Sequence, residues 1–267
     1  AGERGYGIKV EEGKYGYPYD KNKVPHMAFQ EFIDSLNLPF KPRDYQYDAI
    51  VHGIENKRAI ILSPTGSGKS FIIYILARWY LAQHNKKLLL IVPTTSLVEQ
   101  MYKDFYEYGY DVEKNVHRIY SGKDKQTDCP IIISTWQSIY KLGSPWFQQF
   151  GCIVGDEVHG FKSKSLSSIM NKSIEAEYRF GTTGTLDGTT VHKLVLEGLF
   201  GPTYTSVTTV KLQEDKHLAK LDIDIILLKY KRELCQLTDG RSYQDEIDFI
   251  VRYEKRNNFI KNLIIKY

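Results

Sequence analysis

A chain of 267 residues with 42% hydrophobic and 25% charged side chains has the make-up of a folded globular protein, which excludes a mostly disordered chain. Its length admits one large domain or two small ones. A formal net charge of +4 is a mild basic excess that permits a polyanionic partner without arguing for one.

Residues 1–25 are rich in Gly, Tyr, Lys and Pro, and Tyr15, Tyr17 and Tyr19 alternate with small or polar residues, the pattern of an edge strand or a turn-rich arm. Such tyrosines either stack on single-stranded nucleic acid or pack against the following domain, and packing is the simpler expectation. Residues 26–37 read as a helix with Ala28, Phe32 and Leu36 on one stripe, ended by Pro39 and Pro42. A second helix is expected over Asp44–Glu55. A regular alternation follows. Ala59–Leu62 is a short apolar strand, Ser63–Ser70 a Gly-rich loop, and Lys69–Gln83 a helix apolar on most faces and therefore buried. Leu88–Val92 is an apolar strand followed by a helix over about Ser96–Tyr108. Val116–Tyr120, Ile131–Ser134, Cys152–Val154 and Tyr178–Thr182 read as further strands. Continuous apolar strands separated by helices predict an α/β fold with a parallel sheet covered on both faces.

Beyond about Pro202 the pattern changes. Leu221–Leu228 alternates apolar and acidic residues and is expected to be a strand, Thr238–Ser242 a turn, and the chain from Tyr243 onward charged and helical. The terminal run Asn258–Tyr267 puts Phe259, Leu263 and Ile264 on one stripe with little nearby to bury them, as in the first helix of a further structure. Cys129, Cys152 and Cys235 lie far apart with no CxxC pair or Cys/His cluster, so neither a zinc site nor a disulfide framework is expected, and reduced thiols in a cytoplasm are the simplest reading. The longest apolar runs are far short of a membrane span. No signal peptide opens the chain, and a start at Ala1 is expected of a processed or cut product.

Ser63-Pro64-Thr65-Gly66-Ser67-Gly68-Lys69-Ser70 follows a short strand and opens a helix, the context a phosphate-binding loop requires. Gly66 and Gly68 let backbone N–H groups turn toward a polyphosphate. Lys69 can reach the β- and γ-phosphates, and Ser70 can offer its hydroxyl oxygen to Mg²⁺. Ser63 stands where the pattern usually has glycine. The apolar strand Cys152–Val154 then runs through Gly155 into Asp156 and Glu157. Asp156 is placed to hold Mg²⁺, and Glu157, one residue on, to orient and deprotonate an attacking water. An acid pair at a strand end is weak by itself, but paired with the phosphate loop it favours nucleotide hydrolysis over transfer to a small acceptor.

Asp156-Glu157-Val158-His159 resembles motif II of the superfamily 2 helicases of DExH type, and other motifs fall in that family's order. Arg43-Asp44-Tyr45-Gln46 resembles the Q motif, which implies that Gln46 reads the adenine edge while Arg43 or Tyr45 packs beside the ring. Pro93, Thr94 and Thr95 lie in a segment similar to motif Ia, and Ser121-Gly122 is similar to motif Ib. Ser134 to Ser138, with Thr135 and Gln137, is similar to the motif after it. Thr183-Gly184-Thr185 is similar to motif III. The resemblance implies a three-layer RecA-like lobe with a mostly parallel sheet over residues 39–205, preceded by an arm and helix at 1–38. Residues 206–267 would be a strand and helices leading to a second lobe.

It further implies ATP and Mg²⁺ as cofactors, Glu157, Lys69, Asp156 and His159 as the catalytic set, and Thr183 and Thr185 as coupling partners of His159. Pro93, Thr94, Thr95, Gly122, Thr135 and Gln137 would hold the phosphates of one strand without reading bases. Taken singly, each Thr or Ser is as well explained by helix capping, and His159 by a hydrogen bond to a nearby carbonyl. Lys123 and Lys125 suit phosphate contacts or a plain charged loop, Lys162 and Lys164 a solvated loop, and Asp187-Gly188 a turn. Within the superfamily, the strings around Val92–Met101, Ser134–Ser138 and Phe180–Gly188 are most similar to a phage recombination helicase that remodels branched DNA. The expected function is thus an ATP-dependent DNA helicase or branch-remodelling translocase, acting in a cytoplasm on branched or single-stranded DNA with a second RecA-like lobe of the same full-length chain. No motifs IV to VI are found after residue 200, so the chain alone is expected to be nearly inactive. An RNA helicase and a non-catalytic nucleic-acid-binding module are the alternatives, with a P-loop small-molecule kinase more distant.

Overall fold

The strand segments Leu88–Val92 and Ile131–Ile133 are apolar without interruption because both of their faces are covered. The computed structural model describes residues 24–120, 122, 124–161, 163–186, 190–219, 225–230 and 242–266. Tyr15, Tyr17, Tyr19, Ser121, Lys123, Lys162, Asp187, Gly188 and Cys235 lie outside them, as does most of the expected turn at 238–242. Two helices open the described chain, α1 (His26–Ser35) and α2 (Asp44–Asn56), followed by β1 (Arg58–Leu62), α3 (Lys69–Gln83), β2 (Lys87–Val92) and α4 (Thr95–Glu107). Next come α5 (Val112–Asn115), β3 (Val116–Ile119), β4 (Ile131–Thr135), α6 (Trp136–Ile139), α7 (Ser144–Phe147) and β5 (Phe150–Asp156). A single 3₁₀ turn (Val158–Gly160) leads to α8 (Ser163–Lys172), β6 (Tyr178–Thr183), α9 (Thr190–Phe200), β7 (Thr203–Thr205) and α10 (Thr209–Glu214).

The strands form one sheet in the order β3-β4-β2-β5-β6-β1-β7, with every pairing parallel. Alternate residues feed two separate cores. Ile61, Leu88, Leu90, Ile131, Ile133, Cys152 and Val154 join α1 to α4 on one face. Ile60, Leu89, Ile91, Ile132 and Ile153 join residues of α6 to α9 on the other. This is the expected three-layer α/β arrangement, and the strand ends that carry the candidate motifs share one edge of the sheet. Helix α3 is buried from Phe71 through Ala77, as its all-round apolar sequence predicts, because it lies between the sheet and the helices α2 and α4.

Three expectations need correction. In α1 the buried stripe is Phe29 and Ile33, not Ala28, Phe32 and Leu36: Ala28 is exposed, and Phe32 and Leu36 are half-buried. Phe29 packs on Tyr47 at 5.0 Å, a contact invisible to local spacing, while Trp79 is shared between Phe29 (5.4 Å) and Phe32 (4.9 Å). β7 was not expected, since three residues give no periodicity to read; it is held as an edge strand by pairing with β1. In the expected strand 221–228, the described part from Ile225 has no regular structure, and Ile225 and Leu227 are exposed.

By contacts the chain divides into Ala1–Ala219 and Lys220–Tyr267. In the second unit, helices Tyr243–Arg252 and Glu254–Lys266 carry no buried residue, and Val251, Phe259, Ile264 and Ile265 are exposed. Ser242 caps the first of them by accepting from the Asp245 N–H. Cys129 and Cys152 are unpaired thiols. Among the described residues no helix is long and apolar enough to cross a membrane.

Close packing under the site depends on two glycines that face each other in register, Gly155 in β5 and Gly181 in β6. A Cβ on Gly155 would lie 2.7 Å from Val158 Cγ1 and 3.1 Å from Phe200 Cζ. Gly155→Ala should therefore lower stability by about 1–3 kcal/mol through overpacking. In denaturant titrations, the double variant with Val158→Ala should cost less than the sum of the two single variants; strict additivity would refute this packing account.

Candidate nucleotide site and adjoining loops

Between β1 and α3 the chain turns through Gly66 (φ 81°) and Gly68 (φ 80°), both in the left-handed region that favours glycine. A Cβ on Gly68 would lie 2.5 Å from Gln46 Nε2, and one on Gly66 would lie 2.6 Å from Leu218 Cδ2, so the loop has no room for side chains there. Ser63 is more than a tolerated replacement for glycine. Its buried hydroxyl donates to Ser67 Oγ (2.7 Å) and accepts from Ser206 Oγ (2.8 Å), while Ser67 Oγ donates to the Pro64 carbonyl (2.6 Å). The loop is thereby closed on itself and tied to the segment after β7. Pro64 is half-buried; Thr65 and Gly66 are exposed.

The segment Arg43–Gln46 forms the start of α2 and braces this loop. Gln46 Oε1 accepts from the Arg43 N–H (2.9 Å), and its Nε2 donates to the Ser67 carbonyl (2.8 Å). Tyr45 Oη donates to the same carbonyl (2.9 Å), and Arg43 Nη1 donates to Tyr45 Oη (3.0 Å). Gln46, expected to read an adenine edge, is 5% exposed with one acceptor and one donor position of its amide engaged. Arg43 is exposed and Tyr45 half-buried beside it.

The acids at the end of β5 arrive next to the loop because β6 lies between β5 and β1, with Asp156 in register with Thr182 and Leu62 with Thr183. Asp156 is 6% exposed, and burial pushes its carboxyl above the ordinary range, while the Thr182 hydrogen bond pulls it back. Its Oδ1 accepts from Thr182 Oγ1 (2.7 Å) and from the Glu157 N–H (3.0 Å). Glu157 sits at φ 51°, ψ 47°, a left-handed conformation costing of order 1–3 kcal/mol for a residue with a side chain. Its carboxylate is fixed by three groups: Lys69 Nζ at 3.0 Å, His159 Nδ1 at 3.3 Å and the Gly184 N–H at 3.4 Å.

His159 Nδ1 lies 2.6 Å from Thr183 Oγ1, whose proton goes to the Thr185 carbonyl (2.7 Å). The network therefore assigns the imidazole proton to Nδ1, where Thr183 Oγ1 and the Glu157 carboxylate share it. His159 thus meets Thr183 directly and Thr185 only through that residue's carbonyl; the Thr185 side chain is exposed. Ser70, on the first turn of α3, has its Oγ 2.9 Å from Tyr108 Oη. Thr182, Ser206 and Tyr108 were not singled out from sequence, since each acts across a long chain separation. A threonine one residue before motif III was the one readable signal.

The loops expected to contact nucleic acid follow β2, β4 and β3, which are adjacent in the sheet. Thr94 and Thr95 are exposed, and Thr94 Oγ1 caps α4 by accepting from the Leu97 N–H (3.3 Å). Gln137 is exposed, and its Nε2 donates to the Pro93 carbonyl (3.2 Å), joining two of the loops. Gly122 is exposed at φ 80°. Thr135 differs: it is 5% exposed with its hydroxyl on Ser138 Oγ (2.8 Å), so its side chain braces the loop from inside.

Residues 39–188 match the protein family described as type III restriction enzyme, res subunit. The ATP-dependent DNA helicase uvsW of Enterobacteria phage T4 is 36% identical over 256 residues, which cover 92% of this chain and 51% of that protein. The DNA 3'-5' translocase XPB2 of Sulfurisphaera tokodaii is 28% identical over 222 residues, covering 83% of this chain and 47% of that protein. The crystal structure of the UvsW helicase from bacteriophage T4 matches with a TM-score of 0.65 at 34% identity, covering 70% of each chain. The chain spans about half the length of the two relatives matched by sequence.

The buried Asp156 carboxyl yields a stability prediction. Its folded pKa is raised, so between the ordinary carboxylate value and the folded value the folded state binds more protons than the unfolded one, and stability falls as pH rises through that window. Asp156→Asn keeps an oxygen for Thr182 and the Glu157 N–H. It should melt higher than the parent at neutral pH, with the difference closing as pH falls toward about 4. An equal or lower melting temperature at pH 7 would count against burial as the dominant cause.

Proposed function

The chain belongs to the superfamily 2 helicase family that includes UvsW, and from that membership we propose that it is the first motor lobe of an ATP-driven DNA helicase or branch-remodelling translocase. The supporting observation is the Lys69 ammonium 3.0 Å from the Glu157 carboxylate, at the mouth of a glycine-cradled loop and beside the buried Asp156. The loop N–H groups take the nucleotide's phosphates, Gln46 reads the adenine edge, and Arg43 or Tyr45 packs beside the ring. Phosphate oxygens compete with Glu157 for the Lys69 ammonium. Once released from Lys69, Glu157 is a carboxylate held by Gly184 and His159 that can orient a water and accept its proton. His159 and Thr183 tie that carboxylate to the end of β6, so a change at the acid is passed to motif III.

The residues present fit a magnesium ion. Both protein hydrogen bonds to Asp156 fall on Oδ1, and among the described residues Oδ2 has no partner; a nearby cation relieves a carboxylate that burial otherwise penalises. Ser70 and Asp156 would hold the ion, which when bound offsets the charge of the β- and γ-phosphate oxygens. One DNA strand runs over Pro93, Thr94, Thr95, Gly122 and Gln137, whose backbone and neutral polar groups suit phosphates of any sequence. A second RecA-like lobe of the same polypeptide supplies an arginine finger, an element worth about 10³–10⁵ in rate. The chain alone should therefore bind ATP weakly and hydrolyse it very slowly.

Lys69→Ala should abolish binding of a fluorescent ATP analogue to this chain. Glu157→Gln should keep binding here and stop turnover in the two-lobed protein, whose ATPase should be stimulated by forked DNA more than by RNA. Undiminished turnover by Glu157→Gln would remove the base assigned here.

A further inference from the structure

Ser70 has a single hydroxyl proton, and the end of α4 supplies a partner for that hydroxyl. Tyr108, the residue that ends α4, places its Oη 2.9 Å from Ser70 Oγ. Either hydroxyl of the pair can donate: when Tyr108 donates, one lone pair of the serine oxygen is used and the other remains, and when Ser70 donates, its proton is turned to Tyr108 and both lone pairs remain. A hydroxyl that is to bind a cation must present a lone pair, and its proton must be turned elsewhere.

The Tyr108 ring is not free to adjust. It is 9% exposed, packed against Phe71 (centroids 5.0 Å), Tyr74 (5.2 Å) and Phe40 (5.9 Å), and its own N–H is held by the Asp104 carbonyl (2.9 Å).

We propose that Tyr108 is a positioning residue for Ser70, fixing its hydroxyl so that an oxygen lone pair is presented to the magnesium ion accompanying the nucleotide. The inference rests on the nucleotide-site reading above and extends it to α4, the helix whose other end carries Thr94 and Thr95. It predicts that removing the Tyr108 hydroxyl alone, with the ring kept, weakens the magnesium dependence of nucleotide binding and leaves the fold intact.

The test uses this chain and a non-hydrolysable, methylanthraniloyl-labelled ATP analogue, titrated with Mg²⁺ at fixed nucleotide. Tyr108→Phe should raise the Mg²⁺ concentration at half-maximal binding about three- to tenfold, the worth of one hydrogen bond. Affinity in EDTA and the melting temperature of Tyr108→Phe should stay as in the parent. On a Ser70→Ala background, Tyr108→Phe should have no further effect, an outcome that a merely structural role would not produce. An unchanged or lowered Mg²⁺ midpoint for Tyr108→Phe, or an equal effect with and without Ser70, would overturn the inference alone. Failure of the unmutated chain to show Mg²⁺-dependent nucleotide binding would overturn the nucleotide-site reading and take the inference with it.

Discussion

An ammonium and a carboxylate 3.0 Å apart, Lys69 and Glu157, join two segments far apart in sequence at one edge of a parallel sheet. Their side chains are 11% and 27% exposed, so each charge has lost much of its hydration and depends on the other. The glycine loop sets the position of Lys69 and the left-handed turn at Glu157 aims the acid. Neither backbone would hold its unusual conformation without surroundings that over-determine it. Gly184 faces the loop at ordinary van der Waals range: a Cβ there would lie 3.5 Å from Lys69 Nζ and 3.7 Å from the Thr65 nitrogen. Motif III therefore lies beside the loop, with the Thr183 side chain turned to His159.

The layout of strands explains why so many candidate residues converge. Because every pairing is parallel, all strands deliver their carboxyl ends to the same edge. β1, β6 and β5 deliver the loop, motif III and the acids; β2, β4 and β3 deliver the neutral polar loops alongside. Two chemistries sit side by side on one rigid element, and the Gln137 bond to the Pro93 carbonyl joins adjacent loops of the second group.

Much of this was legible in the chain because the signals are local. Unbroken apolar runs such as Leu88–Val92 mark strands covered on both faces, and the all-round apolar α3 marks a buried helix. Ser63–Ser70 and Asp156–His159 each fit within one turn or strand end. What could not be read depends on distant pairing. The burial of Phe29 in α1 depends on Tyr47, and the three residues of β7 are a strand only because β1 lies beside them. Gln46 spans the Ser67 carbonyl and the Arg43 N–H, and Thr135 meets Ser138, contacts that residue type alone does not reveal. Ser63 reads as a tolerated departure from glycine, whereas its hydroxyl has partners on both sides of the loop. In each case the residue type was informative and its orientation was not.

The place of β1 in the sheet bears on how the molecule comes into being. Its two neighbours are β6 and β7, both made long after it as the polypeptide emerges. Until they arrive, this apolar ribbon has no hydrogen-bonding partner in its own sheet, while β2 can already pair with β4. Non-local parallel pairing of this kind is slow to form and leaves apolar edges open to other chains in the meantime. The loop that carries Lys69 is thus encoded early but can be set in place only among the last events of folding.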